Sequence, residues 1–139
     1  MTRIFPENCI FFQLSKASRS ALRYLNRQLA DSEVTAVQAM VLLLLHDEDE
    51  ITSAALGGRA QLDSATLAGV LDRLQKAGLV ERRPHPEDGR SIQVCLTGGG
   101  RDLAMALAKL KDQANADYLS CLTPEEEMIL RALLTKLAP

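Results

Sequence analysis

Between Leu62 and Thr97 the order of residues permits few backbones. Asp63, ahead of Ser64-Ala65-Thr66-Leu67, starts a helix, because a carboxylate at the N-cap accepts a free amide and suits the positive helix end. Leu67, Val70, Leu71 and Leu74 then recur at helical spacing and make one apolar face. Ser64, Ala65, Ala68, Gly69, Asp72, Arg73 and Lys76 fall on the outward side. Ala77-Gly78 stops the helix, glycine supplying the left-handed residue. Two strands follow, Leu79-Val80-Glu81-Arg82-Arg83 and Ile92-Gln93-Val94-Cys95-Leu96-Thr97. In the second, Ile92, Val94 and Leu96 alternate with Gln93 and Cys95, a half-buried pattern. Pro84, Pro86 and Asp88-Gly89 turn the chain between them, which leaves His85 and Arg90 at the tip.

A helix beside a basic β-hairpin is the outline of a winged helix-turn-helix. The remaining chain is helical. Ile10, Leu14, Ala17, Ala21, Leu25 and Leu29 stripe a helix expected from Pro6 or Glu7 to about Leu29. Thr35 caps a second helix to about His46, apolar on every side and so expected at the centre. Asp47-Glu48-Asp49-Glu50 reads as a solvated turn. Thr52 caps a short third helix to about Arg59, weakened by Gly57 and Gly58. Thr97 caps a long helix to about Cys121, whose Gly98-Gly99-Gly100 start is expected to fray or bend. Thr123-Pro124-Glu125-Glu126 carries an N-cap, a first-turn proline and a glutamate three residues on, and starts a last helix to about Leu137. The expected fold is mainly α, a single domain with a β-hairpin wing, the winged unit at 35–97 and flanking helices at 1–34 and 98–139.

A chain of 139 residues suits one domain with a real core. No apolar run is long enough to span a membrane, and the N-terminus lacks a secretory pattern. Cys9, Cys95 and Cys121 are odd in number and widely spaced, which argues against a disulfide framework or a zinc site and favours a reducing cytoplasm. The formal net charge is −2, yet Arg59 through Arg101 hold seven basic against five acidic residues, a local surplus of positive charge. No nucleophile–base pair, phosphate loop or metal-ligand cluster stands out, so the chain is not expected to be an enzyme and no cofactor or metal is implied.

Double-stranded DNA is the partner these features fit. Ser64 and Thr66, at the start of the helix, offer hydroxyls to bases or phosphates, and Ala65, Ala68 and the Thr66 methyl suit thymine methyls. Either hydroxyl also serves plain helix capping. Arg73 and Lys76 lie farther along, placed for phosphates, while Asp72 would repel phosphate and is expected to pair with a basic side chain. Of Arg82 and Arg83 one faces DNA and the other turns away; Arg83 is taken as the contact. Arg90, with His85, projects from the wing, where an arginine enters a narrow minor groove. The alternative is a helical interaction module that kept the winged shape but lost DNA contact.

Asp88-Gly89-Arg90 followed by Leu96-Thr97 and Gly100, preceded by Asp72-Arg73-Leu74 and Gly78-Leu79-Val80-Glu81-Arg82, resembles the MarR family of bacterial transcription regulators. The resemblance implies a homodimer built from the terminal helices, straddling a pseudo-palindromic operator. It implies that Arg90 reaches the minor groove and that Asp88, with Gly89, shapes the wing. It also implies a repressor released by a small anionic or phenolic effector held between the dimerisation helices and the winged unit; Phe12, Lys16, Arg19 and His46 are the candidates for that pocket. Lys16, Arg19, Arg23 and Arg27 share one helix face, either a solvated stripe or a positive wall near an anion or the DNA backbone. In the hydroperoxide-sensing branch a cysteine near the first helix reacts, with two tyrosines beside it. An ungapped match places Phe11, Leu25 and Ala36 at those positions, so Cys9 is expected to be buried and structural.

Overall fold

The computed structural model describes residues 6–139. A 3₁₀ turn, Pro6–Asn8, precedes α1 (Ile10–Gln28), so the first helix starts with its apolar stripe at Ile10, later than the expected Pro6 or Glu7. A second 3₁₀ turn, Ala30–Ser32, leads to α2 (Ala36–Asp47). Thr35 and Gln38 close a reciprocal cap there: the Gln38 N–H donates to Thr35 Oγ1 at 3.2 Å and the Thr35 N–H to Gln38 Oε1 at 3.0 Å. The chain continues through β1 (Ile51–Thr52), α3 (Ser53–Ala60), α4 (Ser64–Lys76), β2 (Val80–Pro84), β3 (Ile92–Leu96), α5 (Gly98–Tyr118) and α6 (Pro124–Leu137). The predicted caps Thr52, Asp63, Thr97 and Thr123 all accept a backbone amide at their helix starts.

The three strands form an antiparallel sheet in the order β1-β3-β2, with Ile51 and Arg82 both opposite Val94. The two-residue β1 is too short to leave a period in the sequence. Helix α2 lies at the centre, burying Ala36, Ala39, Val41, Leu42 and Leu45 against α3, α4, α5 and β3.

Three local expectations are corrected. Strict alternation along β3 fails, because Cys95 is buried and Ile92 is exposed. Ile92 pairs with Pro84 at the loop end of the hairpin, away from the core, while Cys95 pairs with Glu81, whose ion pair with Arg83 lies over that side of the sheet. The acidic turn is not merely solvated. Arg59 reaches back from α3 to Asp47 at 2.6 Å and Glu48 at 3.1 Å, and the Leu96 N–H donates to Asp49 Oδ1 at 2.9 Å. Finally, α5 is helical from Gly98, and its third glycine is buried: a Cβ on Gly100 would stand 1.9 Å from the Leu79 carbonyl oxygen. Thr97 completes this corner, its hydroxyl donating to the Gly78 carbonyl at 2.7 Å and accepting from the Gly100 N–H at 3.0 Å.

Neither α1 nor α6 buries a residue within the single chain. Phe11 is 79% exposed and Leu137 is 64% exposed, with Ile10, Met128, Ile129 and Leu133 also open. Exposed apolar rows of this extent mark a surface that another body covers. Cys9 lies on this same stretch and is exposed, contrary to the expectation that it is buried; the apolar side chains near it stay open within their own chain.

Candidate nucleic-acid interface

Helix α3 ends at Gln61, left-handed at φ 56°, and the Leu62 N–H closes back on the Gly57 carbonyl at 3.0 Å. Asp63 then starts α4, accepting the Thr66 N–H at 2.7 Å. That bond holds the Asp63 carboxyl below the ordinary aspartate value. Leu67, Val70, Leu71 and Leu74 are buried, so packing fixes which side of α4 looks outward. Ser64, Ala65, Thr66, Ala68, Arg73 and Lys76 are all exposed on it. Nothing stands within 4 Å of where a Gly69 Cβ would be, which makes this face smooth and open. A backbone can come close to base edges along such a face.

The wing is fastened to α4 by Arg82. Its guanidinium donates to Gln75 Oε1 at 2.8 Å and to Asp72 Oδ1. Asp72 thus finds the basic partner expected of it, and Arg82 is half-buried and committed to α4. Arg83 is exposed on the opposite side, its charge shared with Glu81 at 2.8 Å.

At the tip, the His85 N–H donates to the Ser91 carbonyl at 2.9 Å and the Ser91 N–H to the Asp88 carbonyl at 3.0 Å. Asp88 Oδ1 accepts the Arg90 N–H at 3.1 Å. His85 Nδ1 accepts the N–H groups of Glu87 at 3.1 Å and Asp88 at 3.4 Å, which leaves the other ring nitrogen as the donor. His85 and Asp88 therefore shape the tip from inside it. Gly89 does not adopt a positive φ, and space is open where its Cβ would sit, so the turn does not demand glycine there. Among the described residues the Arg90 guanidinium has no ion-pair or hydrogen-bond partner; an exposed, uncommitted cation caps an internally hydrogen-bonded loop.

Comparison with known proteins gives this architecture a family. The sequence matches the MarR family over residues 34–92. It is 32% identical to the HTH-type transcriptional regulator SarZ of Staphylococcus haemolyticus, over 82% of this chain and 78% of that protein. The chain belongs to the MarR family. Among solved structures, a mutant MarR of Escherichia coli complexed with operator DNA superposes with a TM-score of 0.88 at 31% identity, covering 99% of this chain and 100% of that one. The PcaV transcriptional regulator of Streptomyces coelicolor in complex with its natural ligand gives 0.91 at 25% identity, covering 99% and 97%. These relatives are transcription regulators rather than enzymes, and no helix among the described residues is long and apolar enough to cross a membrane.

This MarR-family chain also has an apolar cavity of about 310 Å³ between α1, α2 and α5. Tyr24, Met40, Leu110 and Tyr118 line it, with Lys111 and Asn115 as its polar edge. The two tyrosine rings stand 5.1 Å apart, and the Tyr118 hydroxyl donates to Ser20 Oγ at 3.2 Å. Phe12, Lys16, Arg19 and His46 do not line this cavity: the first three are exposed earlier on α1 and His46 is exposed near the end of α2. A cavity drawn from three helices far apart in sequence leaves no local motif. Its aromatic signal is divided between Tyr24 on α1 and Tyr118 at the end of α5, and nothing in the sequence joins the two.

Proposed function

We propose that this chain is a homodimeric, sequence-specific DNA-binding regulator that represses transcription in the cytoplasm and is released by a small ligand. The observation that carries this reading is the pairing of an open, small-residue face on α4 with the uncommitted Arg90 on a wing clamped to that same helix. The likeness to MarR bound to operator DNA supports it. Ser64, Ala65, Thr66 and Ala68 meet base edges; Arg73, Lys76 and Arg83 meet phosphates; Arg90, with His85 bracing the tip, enters the minor groove. Two such heads address successive major grooves about 10 base pairs apart.

The exposed rows of α1 and α6 supply the dimer contact. The cavity beside Tyr24 and Tyr118 receives the effector, and its apolar walls with Lys111 at the edge favour a flat phenolic molecule or an aromatic monoanion over a multiply charged one.

Selection of bound fragments from a random duplex pool tests the reading. A recovered pseudo-palindrome whose affinity falls steeply with salt is the expected result, because each phosphate contact releases counterions. A dimer that retards no duplex would identify an interaction module instead. A thermal-shift screen of phenols and aromatic acids, followed by operator release, tests the effector; a hit whose effect survives Tyr118→Ala unchanged would place it elsewhere.

A further inference from the structure

Asp49 sits at a corner where three elements meet. Its Oδ1 accepts the Leu96 N–H at 2.9 Å, at the end of β3. Its Oδ2 lies 3.6 Å from the Arg101 guanidinium, in the first turn of α5. The same Oδ1 accepts the Glu50 N–H at 2.8 Å, and Glu50 is left-handed at φ 58°. Gln93 of β3 donates to the Glu50 carbonyl at 2.6 Å. β1 pairs with β3 only at Ile51 and Thr52, so the Leu96 amide lies beyond the end of that ladder. The carboxylate stands where a longer strand would have offered a carbonyl.

One side chain thereby grips both arms of the β3–α5 corner. β3 is the central strand, bonded to the wing strand β2, whereas α5 runs away from the reading head along α1. A change in the angle at this corner moves the wing and α4 together relative to α5. We propose that Asp49 is a positioning residue for operator reading: it fixes the β3–α5 angle and so sets the separation of the two reading heads in the dimer. This role rests on the dimeric, DNA-binding reading above. Arg101 alone is a weak tether, being largely exposed, but the amide bond to Leu96 is partly buried and directional.

The test uses the operator recovered by the wild-type protein, remade with its spacer lengthened or shortened by one base pair. Wild type, D49A, D49N and D49S are compared for affinity at each spacing, with dimer mass and melting temperature alongside. D49A is expected to lose about tenfold at the native spacing, the cost of one lost charge-assisted hydrogen bond, and to discriminate less between spacings. D49N keeps an oxygen for Leu96 and is expected to keep most of the discrimination. A D49A dimer that loses affinity equally at all spacings, or loses none, overturns the role. If D49A yields no dimer, D49S decides, because its hydroxyl is too short to reach the Leu96 amide: weakened discrimination supports the role, and wild-type discrimination overturns it. A wild-type protein that recovers no duplex overturns the proposed function and this role together. One that binds, with variants indistinguishable from it, overturns this role alone.

Discussion

Gly100 on α5 lies so close to the Leu79 carbonyl that a Cβ there would overlap the oxygen, at 1.9 Å. The obstacle is backbone, not the end of a flexible side chain, so the corner between wing and helix has to open to accept it. Gly100→Ala is therefore expected to destabilise the fold by about 1–3 kcal/mol or more, as overpacking does. Ala at Gly98, where nothing stands within 4 Å, is the control and is expected to be tolerated. Chemical denaturation of the two variants checks this, and equal midpoints would refute the close approach.

Arg90 and Asp88 should separate by how they fail. Arg90→Ala is expected to weaken operator binding by roughly 1–3 kcal/mol without altering stability. Asp88→Ala removes the side-chain acceptor for the Arg90 N–H, so it loosens the tip and costs less affinity than losing the guanidinium itself. Fluorescence anisotropy on the selected operator measures both. An Asp88 variant that binds worse than the Arg90 variant would reverse the assignment.

Acid should loosen the start of α4. The folded-state value of Asp63 is lowered, first by the backbone amide of Thr66. Its stabilising effect is accordingly complete above the unfolded value of about 3.9 and is lost as pH falls through the lower folded value. Asp63→Asn keeps a capping oxygen without the titration, and it is expected to flatten this part of the stability–pH curve. Urea midpoints for the two proteins below about pH 5 give the comparison; parallel curves would mean that the cap carries no acid sensitivity.

Cys95 should be the last thiol to react. It is buried, and burial pushes its thiol above the ordinary value, while Cys9 and Cys121 are exposed. Timed alkylation read by peptide mass is expected to modify Cys95 slowest in the native protein and at a comparable rate in denaturant. Early labelling of Cys95 would place it outside the sheet.

Local chemistry is readable from the chain alone. Thr35, Thr52, Asp63, Thr97 and Thr123 each announce a helix start because a cap needs only its neighbours three residues away. The outward face of α4 follows from periodicity, and the hairpin from the prolines that turn it, although strict alternation along β3 does not hold. What escapes is long-range. Asp49 and Leu96 are 47 residues apart, and an acidic run looks like a solvated turn until the strand it caps is in place. The cavity near Tyr24 and Tyr118 depends on how three helices lean together. Cys9 defies its expected burial because that expectation assumes cover within one chain, where α1 buries none of its side chains.

With those bare rows on α1 and α6 as the proposed dimer contact, folding and self-association become one equilibrium. If the subunit cannot satisfy its own terminal helices, dilution removes more than a binding partner: it removes part of what holds each copy folded. Melting temperature then rises with protein concentration. A cell holding few copies would keep a smaller folded fraction than bulk measurements imply, so the number of molecules made would itself tune how tightly a promoter is held.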